Sequence, residues 1–545
     1  MSADPSRVRT ILSVNFNHDG SGVLLREGRI AGYVTTERRS RLKKHPGLRE
    51  EDLDELLDQA GADLSDIDHV MLCNLHTMDT PDIPRLHGSD LKETWLAFWV
   101  NQRNDEVSLR GRRIPCTVNP DHHLIHAATA YYTSGYDSAM AVAIDPTGCR
   151  AFAGKGSRLY PLRRDLDAWF NANIGYCYVA DLMFGSSIVG AGKVMGLAPY
   201  GRPADGAGPD EEPPETVRDF AALVALADRH PRLVDVDGRK LNATLAHYIQ
   251  LGLERQLTAV FAELAPLCAR NGIAPDICLS GGTALNAIAT QLAFESTGFE
   301  RMHLHPACGD DGTAIGAALW HWHHVLGHPR LHHTNADLMY SVREYPEHTV
   351  RRAVRDHAAD LVVEETGDYI ARAAELVAGG AVIGWYDGAG EVGPRALGHR
   401  SIVADPRDPA MRDRLNSQVK FREHFRPFAP SVLKEHAAEW FGLSDSPFML
   451  RATPVLKPGV PAITHVDGTS RIQSVTRQDT PAFHDLIHAF KDRTGIPMVL
   501  NTSLNTKGEP IAETPEDALR TLLGSRLDHL VLPGLIVSGR TAARS

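Results

Sequence analysis

One strand–turn–strand pattern occurs twice in this chain, and that repetition limits the folds open to it more than any other feature. Residues 9–15, 22–26 and 29–34 read as three consecutive strands, joined by the turn formers His18 to Ser21 and by Glu27 and Gly28. The pattern returns at residues 139–144 and 150–153, around Asp145, Pro146, Thr147 and Gly148. Between and after these units, residues 50–60, 121–133 and 244–271 carry helical spacing of apolar side chains. Strands alternating with helices predict an α/β protein whose first part is an internal duplication.

A composition change at residues 327–343, rich in His, Pro and Asn, puts the main domain boundary near residue 345. Beyond it the chain has its own alternation, with strands expected at 381–386 and 498–500. Residues 203–214, rich in Gly, Pro, Asp and Glu, read as an exposed loop. The 545 residues are 43% hydrophobic and 23% charged, an ordinary balance for two or three domains. No run approaches the roughly 20 apolar residues that span a bilayer, and the first ten residues form no apolar signal region. The expectation is a cytoplasmic protein without a membrane partner. A net charge of −11 argues against nucleic acid, because it repels phosphate backbones. Seven cysteines, an odd number with no C-x-x-C pair, argue against a disulfide framework and against structural zinc, and read as buried, inert thiols.

Chemistry-bearing residues cluster in glycine-containing turns. His122 and His126 stand i, i+4 at the start of a helix opened by Pro120, so both imidazoles leave one face and can share a metal ion; two solvated or capping histidines are the alternative. His123 points away from that face. An apolar strand at 276–279 ends in Ser280, Gly281 and Gly282 before a helix at Asn286, a turn that lets backbone approach a ligand or simply turns tightly. A second such turn holds Gly309, Asp310, Asp311 and Gly312, where the acids serve as a metal ligand and its neighbour or as a helix cap. Lys193, between Gly192 and Gly196, lacks the surroundings of a Walker A lysine and reads as part of a structural turn.

In the second part, residues 388–393 match G-x-G-x-x-G, yet a strand returns at 401–404 and leaves no room for a crossover helix. The match is therefore not a dinucleotide site. Arg395, Lys420, Arg422, Arg426 and Arg471 come from separate turns, with Ser503, Asn505 and Lys507 further on, and suit phosphate or carboxylate groups. The histidines at 321, 323, 324, 328, 332 and 333 lack carboxylate or cysteine companions and are not read as a metal store.

Taken in order, these motifs resemble the NodU/CmcH family of O-carbamoyltransferases across nearly the whole chain. The residues that carry the resemblance are His18 and Asp19; Glu37, Arg38 and Lys43; His122 and His126; Lys193 to Tyr200; Ser280 to Gly282; Gly309 to Ala314; Gly393 to Gly398; Phe425 to Pro430; His465 to Thr469; and Asn501 to Ser503. The resemblance implies a duplicated actin-like, TsaD-like domain over residues 1–345 and a YrdC-like α/β domain over 346–545. It implies that carbamoyl phosphate and ATP form a carbamoyl-adenylate in the second domain, and that a small hydroxylated acceptor, a sugar or antibiotic-type scaffold, takes the carbamoyl group in the first. Arg395, Lys420 and Arg471 then match the groups that hold carbamoyl phosphate and the nucleotide, with Ser503, Asn505 and Lys507 nearby and Gly281, Gly282 and Asn286 as further nucleotide contacts. His122, His126 and Asp310 match the ligands of a divalent metal, Fe2+ in relatives, with Mg2+ accompanying ATP. His18, Lys43 and Asp145 match polar residues of the transfer site.

Two positions depart from the family pattern. Asp145, Pro146 and Thr147 replace a glycine-rich turn, and Gly190 and Ala191 stand where relatives carry an acid. The rivals are a tRNA threonylcarbamoyl-type transferase, which needs a basic surface; a hydrogenase-maturation enzyme, which carries cysteine zinc fingers; and an actin-like sugar kinase, which releases ADP rather than AMP and pyrophosphate.

Overall fold

A computed structural model describes residues 8–75, 96–146, 148–163, 166, 172–202 and 220–540. The first sheet contains β1 (Thr10–Asn15), β2 (Ser21–Arg26), β3 (Arg29–Thr35), β4 (His69–Cys73), β5 (Phe98–Val100), β6 (Glu106–Leu109) and β7 (Arg112–Val118), in the order β3-β2-β1-β4-β7-β6-β5. The second contains β8 (Ser138–Asp145), β9 (Gly148–Lys155) and β10 (Arg158–Arg163), followed after the hairpin β11 (Leu233–Val236) and β12 (Arg239–Asn242) by β13 (Asp276–Ser280) and β14 (Arg301–Leu304). Its order is β10-β9-β8-β13-β14. In each sheet an antiparallel three-strand meander is followed by two strands parallel to its first member. The same core topology built twice is the internal duplication expected from the repeat and the actin-like fold that the resemblance implies.

Local sequence explains why the site-bearing elements form. The helix His122–Thr133 begins at Asp121, whose carboxylate accepts the Leu124 N–H at 2.9 Å, satisfying a donor that the helix start leaves open. It lies buried between the two sheets. The strand β8 is buried along nearly its whole length, and its Ala, Met, Val and Ile side chains pack on both faces.

The second part builds one nine-stranded mixed sheet from β15 (Leu361–Glu365), β16 (Ile383–Tyr386), β17 (Arg400–Ala404), β18 (Ala429–Leu433), β19 (Arg451–Pro454), β20 (Thr469–Val475), β21 (Met498–Ser503), β22 (His529–Leu532) and β23 (Leu535–Gly539). The order is β15-β23-β22-β16-β17-β21-β18-β20-β19. Strands β16 and β17 pair antiparallel, so the G-x-G-x-x-G stretch between them has no crossover helix. One apolar core joins the two parts: Leu397, Phe425, Phe448 and Leu450 pack with Ile144, Leu197, Phe261 and Leu279.

Lys193 sits on the helix Ser187–Leu197 rather than in a turn; Gly190 lets that helix pack, since a Cβ there would lie 3.1 Å from Ala180 C=O, while Gly192 faces open space. Residues 203–214 lie outside the described residues. Among the described residues no single helix is long and apolar enough to cross a membrane; the apolar pair Asn173–Phe184 and Ser187–Gly201 is bent by 90°.

Candidate active site

Two charged basins stand out among the described residues. The first lies at the ends of β1, β8 and β13. His122 Nε2 is 2.8 Å from Asp145 Oδ2 and 3.9 Å from Asp310 Oδ1. His126 Nε2 is 3.1 Å from Asp310 Oδ1 and 3.7 Å from Asp145 Oδ2. His18 approaches from the β1–β2 turn, with Nε2 3.7 Å from Asp310 Oδ2 and Nδ1 2.8 Å from Asp19. Asn17 donates its side-chain N–H to the same Asp310 oxygen. His123 reaches the opposite oxygen of Asp145, at 3.4 Å, away from the shared face.

The second ring nitrogens of both histidines are already committed. Ser280 donates its hydroxyl to Cys308 C=O at 3.0 Å, so its oxygen accepts His126 Nδ1–H at 3.2 Å. Asn74 donates to Asn15 at 2.8 Å, and its carbonyl accepts His122 Nδ1–H at 3.1 Å. Both Nε2 atoms therefore turn toward the two carboxylates, the orientation that partners beyond the ligands impose on metal-binding histidine. His122, His126 and Asp145 each present a donor within 4.8 Å of the others. Two imidazoles and two carboxylates are a donor set that suits a divalent ion such as Fe2+, Mn2+ or Zn2+.

Electrostatics agree with this packing. Burial would lower the pKa of His122, but Asp145 and Asp310 outweigh it and raise the value to about 9. Burial pushes the Asp310 carboxyl up, and His126, His122 and His18 more than reverse this, bringing it to about 2. Lys44 closes the wall with a 2.6 Å pair to Asp19.

The second basin is cationic. Lys420 Nζ is buried and donates to Ser503 C=O at 2.6 Å, Ser503 Oγ at 3.1 Å and Asn505 C=O at 3.1 Å, and also to Asn505 Oδ1. Arg395 and Arg471 have buried Nε atoms without a hydrogen-bond partner among the described residues. Burial first, then Arg395, Arg422 and Arg426, push the Arg471 guanidinium well below its ordinary value. Glu423, 3.8 Å from Arg426, and Glu509, which acts on Lys420, are nearby acids. Like charges held together out of water call for an anionic ligand.

The basins adjoin. Burial lowers Arg395 to about 10, Arg426 adds to this from one side, and Cys308 and Asp311 oppose it from the other. Lys43 is exposed, and the protein around it, with Arg426, Lys44 and Arg395, pulls its ammonium down against Glu37.

Known proteins match in the same two parts. The family described as Carbamoyltransferase N-terminus matches residues 228–319, and Carbamoyltransferase C-terminus matches residues 374–538. Nodulation protein NolNO of Sinorhizobium fredii is 34% identical over 97% of this chain and 80% of its own length. Nodulation protein NolO of Bradyrhizobium diazoefficiens is 35% identical over 78% of this chain and 79% of its own length. The chain belongs to the carbamoyltransferase family. A 3'-hydroxymethylcephem-O-carbamoyltransferase of Streptomyces clavuligerus shares 32% identity over 61% of each chain. Among solved structures, T. kodakarensis HypF is a remote likeness, with 13% identity and a TM-score of 0.34 over 59% of this chain and 48% of its own.

Not every expected residue of this carbamoyltransferase turns toward a basin. Gly281 adopts φ +99°, and a Cβ there would lie 2.1 Å from Ile144 C=O, so glycine is required by strand packing. Gly282 faces open space. Asn286 caps the helix Ala287–Glu295 and pairs with Gln250 at 2.8 Å. Lys507 is exposed on the turn after β21. In the histidine run, His321 stacks on His69 at 4.0 Å and His328 on Trp322 at 3.9 Å, while His323 tilts against Tyr132. Six of the seven cysteines are buried and Cys177 is half-buried. Sequence reasoning missed Ser280 and Asn74 as the groups that orient the histidines. Ser280 belongs to the Ser-Gly-Gly turn that the sequence displays; nothing local marks Asn74.

Proposed function

We propose that this carbamoyltransferase uses ATP and carbamoyl phosphate to carbamoylate a hydroxyl of a small metabolite, with adenylation in residues 346–545 and transfer in residues 1–345. Carbamoyl phosphate loses inorganic phosphate to water and leaves carbamate. The carbamate oxygen attacks the α-phosphorus of ATP, pyrophosphate leaves, and a carbamoyl-adenylate remains. Arg395, Lys420, Arg422, Arg426 and Arg471 hold the phosphate charge, and Ser503 and Asn505 fix Lys420. Magnesium accompanies the ATP phosphates.

The acceptor oxygen then attacks the carbamoyl carbon, AMP leaves, and His18 takes the hydroxyl proton. A divalent cation held by His122, His126, Asp145 and Asp310, Fe2+ by family resemblance, would supply Lewis-acid polarisation of the carbonyl oxygen. Lys43, between the basins, meets the anionic intermediate as it crosses. A sugar or antibiotic-type scaffold is the acceptor class.

The observation that carries this reading is the pair of clusters itself: donors of His122, His126 and Asp145 lie within 4.8 Å of one another, and Lys420 is held against Ser503 and Asn505 among arginines. The test is incubation with ATP, carbamoyl phosphate and a panel of hydroxylated acceptors. Pyrophosphate and AMP are expected; ADP with a phosphorylated acceptor defeats the proposal.

A further inference from the structure

Arg395 is carried by the loop between β16 and β17, and that loop is organised around one acid. Glu391 is fully buried, and its Oε1 accepts three backbone N–H groups, from Leu397 at 3.0 Å, His399 at 3.0 Å and Arg400 at 2.8 Å. A carboxylate that gathers three amides from a chain segment fixes the path of that segment. The other oxygen, Oε2, is buried without a hydrogen bond among the described residues. Arg38, His399 and Arg400 supply the positive surroundings that keep the acid ionised against its burial.

The same loop touches the first domain at its tip. Gly393 has φ +86°, and a Cβ there would lie 2.3 Å from Pro306 C=O, in the segment that leads to Asp310. Arg38 Nη2 donates to Gly393 C=O at 2.9 Å, and Val392 N–H donates to Met339 C=O at 2.7 Å. His399 stacks on Tyr340 at 3.7 Å and bonds Ala389 C=O through Nδ1 at 2.6 Å. The loop is thus pinned at both flanks, and Arg395 lies between the pins.

We propose that Glu391 is the positioning residue for Arg395, holding its guanidinium at the junction of the two basins by gathering the amides of Leu397, His399 and Arg400. Glu391 touches no substrate; it acts through the loop. The inference rests on the two-step reading, because it assigns Arg395 to the anion of the first step. Misplacing a charge-binding group by about an ångström costs up to about a hundredfold in rate or affinity.

The test is carbamoyl-phosphate-dependent exchange of labelled pyrophosphate into ATP, measured on the full chain. Glu391→Ala is expected to raise the KM for carbamoyl phosphate by about 10- to 100-fold. Glu391→Gln, whose amide oxygen still accepts hydrogen bonds, is expected to recover most of that loss. If Glu391 works through Arg395, then E391A combined with R395K raises KM no further than R395K alone. An unchanged KM in E391A, full additivity with R395K, or an E391Q as impaired as E391A overturns the assignment. If E391A fails to fold, Gly393→Ala displaces the same loop from Pro306 and is expected to raise the same KM; an unchanged KM there overturns it too. Wild-type protein without exchange would defeat the two-step reading itself, a different failure from any of these.

Discussion

His126 Nε2 lies 3.1 Å from Asp310 Oδ1, although 184 residues separate them. The contact exists because the helix His122–Thr133 is buried between two sheets that share one core topology, which brings the loop after β14 back onto its N-terminal half. A pair joined over such a distance holds only while both sheets keep their register.

Removing either histidine separates the two half-reactions. His122→Ala and His126→Ala are expected to abolish carbamoyl transfer while sparing pyrophosphate–ATP exchange to within about threefold, since the cationic basin has its own residues. Metal analysis of the purified variants is expected to show loss of the bound ion. Parallel loss of exchange would contradict the division between basins.

Ser280→Ala tests the orientation of the site rather than its ligands. It removes the acceptor for His126 Nδ1–H and the donor to Cys308 C=O. Metal affinity is expected to fall by about 10- to 100-fold, read by titration with a competing chelator. The melting temperature falls too, because the buried His126 Nδ1–H loses its partner at about 1–3 kcal/mol, whereas Cys308 C=O still accepts the Gly281 N–H at 2.7 Å. Unchanged metal affinity would show that the serine serves packing alone.

Lys420→Met examines the cationic basin. Lys420 spans Ser503 and Asn505, and the substitution keeps the stem and deletes the charge. Exchange is expected to drop by about 100- to 1,000-fold, the range seen when a preorganised charge-stabilising donor is removed. Burial, then Arg422, Lys43 and Arg426, hold the Lys420 ammonium well below its ordinary value, so losing the charge relieves strain that opposes the loss of its hydrogen bonds. Full activity would remove Lys420 from the mechanism.

Sequence pattern carried far in the repeat and in short-range geometry. The i, i+4 spacing of His122 and His126 and the polar turns after β1 and β8 follow from periods that residue order displays directly. The G-x-G-x-x-G stretch could be set aside from strand spacing alone, and β16 does pair antiparallel with β17. Long-range partnerships are different in kind. Neither Asn74 under His122 nor Glu391 under Arg395 carries a local signal, because each is defined by a neighbour delivered through tertiary packing. Lys193 shows the reverse error: glycines that read as a turn make a close-packed helix once Ala180 and Phe425 lie against them.

Lys193 ties that helix to the cationic basin, and the tie has a pH signature. Its Nζ lies 2.8 Å from Glu423 Oε1, with neither side chain fully buried. Burial would raise the Glu423 carboxyl, but the Lys193 hydrogen bond reverses this and holds it below the ordinary glutamate value of 4.5. A carboxyl depressed on folding stabilises the folded state above its unfolded pKa, and that contribution is lost as pH falls through the folded value. Lys193→Met keeps the stem against Phe184 and removes the charge. The variant is expected to be less stable than wild type by about 1 kcal/mol or less at pH 7, as for a partly exposed pair. The gap should narrow as pH drops below 4.5, because wild type then loses the same interaction by protonation. Urea unfolding of both proteins between pH 7 and pH 3 measures it, and a gap that stays constant across that range would remove Glu423 as the partner of Lys193.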